Sequence, residues 1–338
     1  MYNSLMAYII LNRDNFFNNL DIISKQTKSK DKIAIVLKDN AYGHGLFEMA
    51  EMSKEYGIKK AVVRSCDDAK KIEDFFDYIL VLGEIPSSAS KKVRYTINSL
   101  ESIGNFPKRT LVELKVDSGM HRNGVLESEL REAFVRIKKA GLILEGVFTH
   151  HRAADELTSE WFWQNENFKR VKEEAKALAD EFGLSELRFH SANSASLFRC
   201  ENFDEDMARV GIASYGCLEG NDELKPVLSL YAKKISTREL KKSQRVGYGG
   251  KFIAEKDSIV SNYDFGYGDG FLRCASNRYI APNGERQVGT ISMDNSSFIA
   301  QAGEILIFKD ARVVAKQADT ISYEVLTSLK SYIKREIV

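Results

Sequence analysis

The stretch Lys32-Ile33-Ala34-Ile35-Val36-Leu37-Lys38, followed at once by Asp39-Asn40-Ala41-Tyr42-Gly43-His44-Gly45, decides how this chain is read. Its first half is a short apolar run between lysines, the pattern of a buried strand. A lysine at the mouth of such a strand can lose its proton, because burial disfavours the ammonium form and leaves an amine able to make a Schiff base. Behind it, Tyr42 offers a hydroxyl and the Gly43-His44-Gly45 turn allows close backbone approach, which suits a phosphate held beside that amine. Alone, the stretch also fits a surface lysine before a glycine turn. With support from the rest of the chain it reads as a lysine carrying pyridoxal phosphate (PLP).

Working outward, the Lys32 to Leu37 run is the first of eight. The others are Ala61 to Arg64, Tyr78 to Leu82, Arg94 to Ile97, Thr110 to Val116, Leu144 to Thr149, Leu187 to His190 and Met207 to Tyr215. Between them lie helix-like segments such as Leu46 to Tyr56, Glu127 to Ala140 ended by Gly141, and Glu160 to Phe182 ended by Gly183. Eight strands alternating with helices predict an α/β fold, a TIM-like (β/α)8 barrel over residues 1–220, with weak helices in the third and fourth units. After about Leu218 the texture turns to strand and turn signals: Val227 to Ile235, Gly247 to Ile253, Ser258 to Tyr263, Arg278 to Ala281, Gln287 to Met293 and Glu304 to Phe308. Asn283-Gly284 is a hairpin signal, and Ile321 to Tyr332 reads as a closing helix or edge. A mostly β C-terminal domain is expected over residues 221–338.

Composition narrows the function. Of 338 residues, 49 are Lys or Arg and 48 are Asp or Glu, a balance that gives no electrostatic argument for nucleic acid or an acidic membrane surface, and neither is expected as a partner. The apolar block Ala7-Tyr8-Ile9-Ile10-Leu11 is too short for a signal-peptide core, so a cytoplasmic location is expected. Cys66, Cys200, Cys217 and Cys274 form no Cys-x-x-Cys pair; they read as buried thiols, and no metal site is expected.

Active sites of such barrels lie at the C-terminal ends of the strands. Lys38, Arg122, His150, Asn193 and Ser194 follow or end predicted strands and Arg209 lies in the eighth run, so the polar candidates are expected on one face. The chain here resembles the alanine racemases. The resemblance is carried by Lys38-Asp39-Asn40-Ala41-Tyr42-Gly43-His44-Gly45, Leu114-Lys115-Val116-Asp117-Ser118-Gly119-Met120, His190-Ser191-Ala192-Asn193-Ser194-Ala195, Arg209-Val210-Gly211-Ile212, Gly266-Tyr267-Gly268-Asp269-Gly270 and Ser292-Met293-Asp294. It spans nearly the whole length.

The resemblance implies a PLP-dependent racemase interconverting L- and D-alanine with two bases, Lys38 on the D side of the α-carbon and Tyr248 on the L side. It implies that Arg209 contacts the pyridine nitrogen and that His150 packs by the ring and links Arg209 to the tyrosine. Tyr42, Asn193, Ser194, Gly211, Ile212 and Tyr323 would hold the cofactor. Arg122, the backbone of Met293 and the entrance tyrosine Tyr267 would meet substrate, and Lys115 matches a lysine that is carbamylated in many members. A homodimer with shared sites is implied, each completed by the neighbour's Tyr248 and Met293. Asp39, His121, Ser292 and the pair His151-Arg152 depart from the family's usual residues, which leaves open a racemase preferring serine or a broader set of amino acids. A non-catalytic PLP-binding barrel and a decarboxylase of related fold are the readings from other classes.

Overall fold

The computed structural model describes residues 6–338. A first strand, β1 (Tyr8–Leu11), precedes eight that build the barrel: β2 (Ile33–Val36), β3 (Lys60–Val63), β4 (Tyr78–Val81), β5 (Val93–Ile97), β6 (Leu111–Lys115), β7 (Ile143–Phe148), β8 (Arg188–His190) and β9 (Ala208–Val210). They pair in parallel in the order β9-β2-β3-β4-β5-β6-β7-β8, and a parallel bridge between Asn193 and Arg209 joins the two ends. The expected barrel is therefore present. Its strands are short and apolar because both faces are covered; β2 and β4 are buried along their whole length.

Two details differ from expectation. The eighth run stops at Val210 rather than Tyr215, because Ser214 turns the chain back with both its amide (2.9 Å) and its hydroxyl (2.6 Å) on the Gly211 carbonyl. The weak units are weaker than helices: no helix lies between β4 and β5 among the described residues, and after β5 there is only the 3-10 turn Ile103–Asn105.

The chain forms two compact units. One holds Leu20–Ala41 and Met49–Ser214; the other holds the segment ending at Asn19, Tyr42–Glu48 and Tyr215–Val338. The second unit is mostly β, with β10 (Leu228–Leu240), β11 (Arg245–Val246), β12 (Phe252–Ile253), β13 (Ser258–Tyr263), β14 (Arg286–Val288), β15 (Ser296–Ile299), β16 (Glu304–Phe308) and β17 (Lys334–Ile337). Its main sheet runs β14-β15-β13-β10-β1-β17, with β16 also on β10, while β11 and β12 pair separately.

Here the reading by residue pattern was least accurate. The Gly247 to Ile253 run is a hairpin with a 3-10 turn at Tyr248–Gly250, since Gly247, Gly249 and Gly250 take positive φ that breaks a strand. Arg278 to Ala281 supplies only the bridge Ile280 to Arg286 beside the Asn283-Gly284 turn. Gln287 to Met293 is strand only to Val288, and Ile321 to Tyr332 is helical over Ser322–Ser328. The buried-thiol reading holds for Cys217 alone, as Cys66 and Cys200 are half-buried and Cys274 is exposed on a 3-10 turn.

Candidate active site

Lys38 follows β2 and is half-buried. Beyond it the backbone winds left-handed over four non-glycine residues, with φ of 54° at Asp39, 55° at Asn40, 52° at Ala41 and 50° at Tyr42. Such a turn costs an L-residue roughly 1–2 kcal/mol per position, so packing around it must hold it in place.

Further polar groups of the barrel unit gather around the lysine that ends β6. Burial holds the Lys115 amine down to about 8, reinforced by Arg122, Arg209 and Lys38 and opposed by Asp117. His150 is neutral at physiological pH, because burial, then Arg209, Lys115 and Arg122, push its imidazole well below the usual histidine range. Arg122 is exposed on a loop whose start is pinned by Asp117, which accepts the amides of Gly119 and Met120 at 2.9 Å and of His121 at 3.1 Å. Four basic side chains thus surround one end of the barrel, an arrangement suited to anions.

Arg209, in β9, is buried. One terminal nitrogen donates to His190 Nδ1 and to the His190 carbonyl (3.3 Å); the other donates to the carbonyls of Thr149 (2.7 Å) and Ser191 (3.1 Å). Its Nε–H is the donor that no described residue takes. Ser194 accepts the amides of Gly211 (3.1 Å) and Ala213 (3.3 Å), which leaves its hydroxyl proton for another acceptor. Asn193 caps the helix Ser194–Arg199, taking the Ser196 amide at 2.9 Å, so its carbonyl oxygen is already committed. Two participants were missed by the sequence reading. His190, not His150, is the imidazole bonded to Arg209, and Glu113 of β6 lies behind it at 2.7 Å. A glutamate in the middle of a strand whose other residues, apart from the terminal Lys115, are apolar was the available signal.

In the second unit, Tyr42 is buried with its ring edge-on to Tyr215 (5.4 Å) and Tyr323 (5.8 Å). The Tyr267 and Met293 loops are joined, Tyr267 N–H donating to the Ser292 carbonyl (3.0 Å) and Gly268 N–H to the Met293 carbonyl (2.8 Å). Gly266 is required there, since a Cβ would fall 2.2 Å from the Met293 oxygen. Tyr248 is 72% exposed, Met293 55% and Tyr267 40%. Among the described residues, no cluster of three His, Cys, Asp or Glu could hold a metal, and no helix is long and apolar enough to cross a membrane.

An amine at a strand end, a buried guanidinium with one unused donor and a cationic surround make the end of this barrel an anion-binding site with an amine placed where a carbonyl compound could be held. The family described as alanine racemase, N-terminal domain, matches residues 11–219, and its C-terminal domain matches residues 227–337. An alanine racemase of Nitratiruptor sp. is 46% identical over 98% of this chain and 99% of its own length, and one of Campylobacter curvus is 44% identical over 98% and 100%. The solved alanine racemase of Clostridium difficile superposes with a TM-score of 0.88 at 26% identity, covering 100% of this chain and 97% of that one. The chain belongs to the alanine racemase family, whose members use pyridoxal phosphate. The residues present fit that cofactor: the unused Arg209 Nε–H suits a pyridine nitrogen, and the Ser194 hydroxyl suits a phosphate oxygen.

Proposed function

We propose that this protein is a cytoplasmic homodimer that interconverts L- and D-alanine and supplies D-alanine for peptidoglycan synthesis. The observation that carries the reading is the cationic end of the barrel, where the Lys38 amine, the Arg122 fork and the buried Arg209 surround Lys115. Lys38 holds the cofactor, with Arg209 on the ring nitrogen, His150 beside the ring, and Tyr42, Ser194, Gly211, Ile212 and Tyr323 at the phosphate. Asn193 supports Ser194 from the helix cap. Pyridoxal phosphate supplies an electron sink that acidifies the α-hydrogen of a bound amino acid.

The protein's own groups then divide the work. Arg122 binds the substrate carboxylate with paired donors, helped by the Met293 amide, and Tyr267 narrows the entrance. Lys38 takes or returns the α-proton on the D side and Tyr248 does so on the L side, as inversion requires a base on each face. Because a guanidinium keeps its proton, Arg209 leaves the ring nitrogen unprotonated and the sink weak, which favours return of the proton to carbon over loss of the amino group. Residues 221–338 complete the site of a second chain, a role in keeping with the exposure of Tyr248 and Met293.

A chiral assay with L-alanine tests this directly: D-alanine should accumulate to an equal mixture. Carbon dioxide release in its place would point to a decarboxylase, and faster turnover of L-serine would make alanine the secondary substrate. Borohydride should fix the cofactor on Lys38, and a label on any other lysine removes Lys38 from the mechanism.

A further inference from the structure

Behind Arg209 a buried chain of polar groups crosses the barrel interior. Glu113 and His190 are both fully buried. Glu113 Oε1 accepts from the Tyr78 hydroxyl at 2.7 Å and from Arg188 Nη1 at 2.5 Å, while Oε2 lies 2.7 Å from His190 Nε2. The other ring nitrogen, Nδ1, meets Arg209. A guanidinium only donates, so Nδ1 must be the acceptor and the ring proton must sit on Nε2, facing the carboxylate. A single tautomer satisfies both contacts.

The surroundings are shaped for this chain of groups. Burial, Arg209 and Arg188 hold His190 down to about 4 against the pull of Glu113, so the ring is neutral near pH 7. Burial pushes the Glu113 carboxyl up, and His190, Arg188 and Tyr78 outweigh it, keeping the group ionised. Gly146 of β7 leaves room here, since a Cβ would lie 2.9 Å from the Arg188 carbonyl oxygen and 3.0 Å from the Glu113 carboxylate. Phe148 stacks on His190 at 4.7 Å with 10° between the planes, and its ring centre lies 5.1 Å from the Arg209 guanidinium carbon.

We propose that Glu113 is a positioning residue for the reaction: by holding His190 as its Nε2–H tautomer, it orients the Arg209 guanidinium so that Nε–H stays directed at the cofactor ring. The proposal rests on the reading of Arg209 as the ring contact. The logic is that of a carboxylate fixing the tautomer of a histidine that serves a third group.

Glu113→Gln isolates the effect. Tyr78 and Arg188 both donate to Oε1, so the carboxamide oxygen stays on their side and its NH2 faces His190 Nε2. The ring must then carry its proton on Nδ1, pointed at a cation, and Arg209 loses that one of its four acceptors. In 15N-histidine spectra of the PLP-loaded protein, with His190 assigned through His190→Gln, the wild type should show a protonated Nε2 and a bare Nδ1; the reverse, or a doubly protonated ring, overturns the proposal without any variant of Glu113. In Glu113→Gln the pattern should invert, the absorption of the bound cofactor should shift, and kcat should fall by about 100-fold with KM for alanine little changed, as expected for a misplaced group that does not hold substrate.

Arg209→Lys separates the two readings. If it shifts the absorption while a tautomer-inverted Glu113→Gln does not, Glu113 does not act through Arg209 and the proposal is wrong. If neither shifts it, Arg209 is not the ring contact, and the proposal falls with that assignment.

Discussion

At the level of single residues, Lys115 is the group whose surroundings most directly determine its chemistry. An amine held down to about 8 is largely neutral just above that pH, and neutral amines add carbon dioxide. The steps balance simply: the ammonium gives up one proton to become the free amine, then Nζ bonds to the carbon of CO2 and loses a second, turning a cation beside Arg122 into an anion. Repulsion from Arg122, Arg209 and Lys38 becomes attraction, so the site favours the product. With 13C-labelled CO2 held at constant dissolved concentration, a carbamate signal should grow as pH rises through about 8 and then level off, because the reactive amine is the deprotonated form. It should be absent from Lys115→Arg. A wild-type protein that stays unlabelled at high pH removes Lys115 from the carbamate role.

At the level of elements, two local structures set where the site residues stand. The left-handed turn after β2 places a Cβ where only glycine is relaxed, and Asp39 in it makes just an exposed 3.7 Å ion pair with Arg64. Asp39→Gly should therefore raise the melting temperature, gaining about 1 kcal/mol from relief of strain against the small worth of that pair. Asp39→Ala, which deletes the same pair but keeps the Cβ, should not. Equal melting temperatures for the two variants would show that the turn is unstrained at that position. The second structure is the Arg122 loop, clamped by the helix Glu160–Phe182 and the segment before it. Arg152 donates to the Gly119 carbonyl at 2.9 Å and stacks over Trp163, and Asn167 donates to the Ser118 carbonyl at 2.9 Å. A partly exposed charge-assisted bond is worth about 1 kcal/mol, so Arg152→Ala should raise KM for alanine roughly fivefold with kcat nearly unchanged. A fall in kcat with KM unaltered would contradict a role confined to holding Arg122, the proposed carboxylate contact. The departure His151-Arg152 thereby gains a structural reason: Arg152 secures the loop, and His151 is buried with Nδ1 2.7 Å from the Ser196 hydroxyl.

At the level of the whole molecule, the two proposed bases come from different compact units, and Tyr248 is exposed on its own. Lys38→Ala and Tyr248→Phe should each be nearly inactive as homodimers. A heterodimer of the two combines both defects in one site and leaves the other intact, so activity should return when the variants are mixed under conditions that exchange subunits. Proven exchange without activity would mean that Tyr248 serves its own chain or is not the second base. By itself the amino-acid sequence determined the barrel, since eight apolar runs buried on both faces leave little choice of partner layer, and it put Lys38, Arg122, His150 and Ser194 at or just after strand ends and Arg209 in the last run. It misread the glycine-rich parts of the β unit, where a run such as Gly247 to Ile253 carries strand composition but its positive φ angles break the ladder. Only the tertiary structure decided that Asp39 to Tyr42 wind left-handed and that Glu113 and His190, 77 positions apart, meet behind Arg209. Periodicity reports which face of an element is apolar, whereas a buried hydrogen bond between β6 and β8 depends on strand register and on the space Gly146 leaves between them, neither of which is written in local sequence.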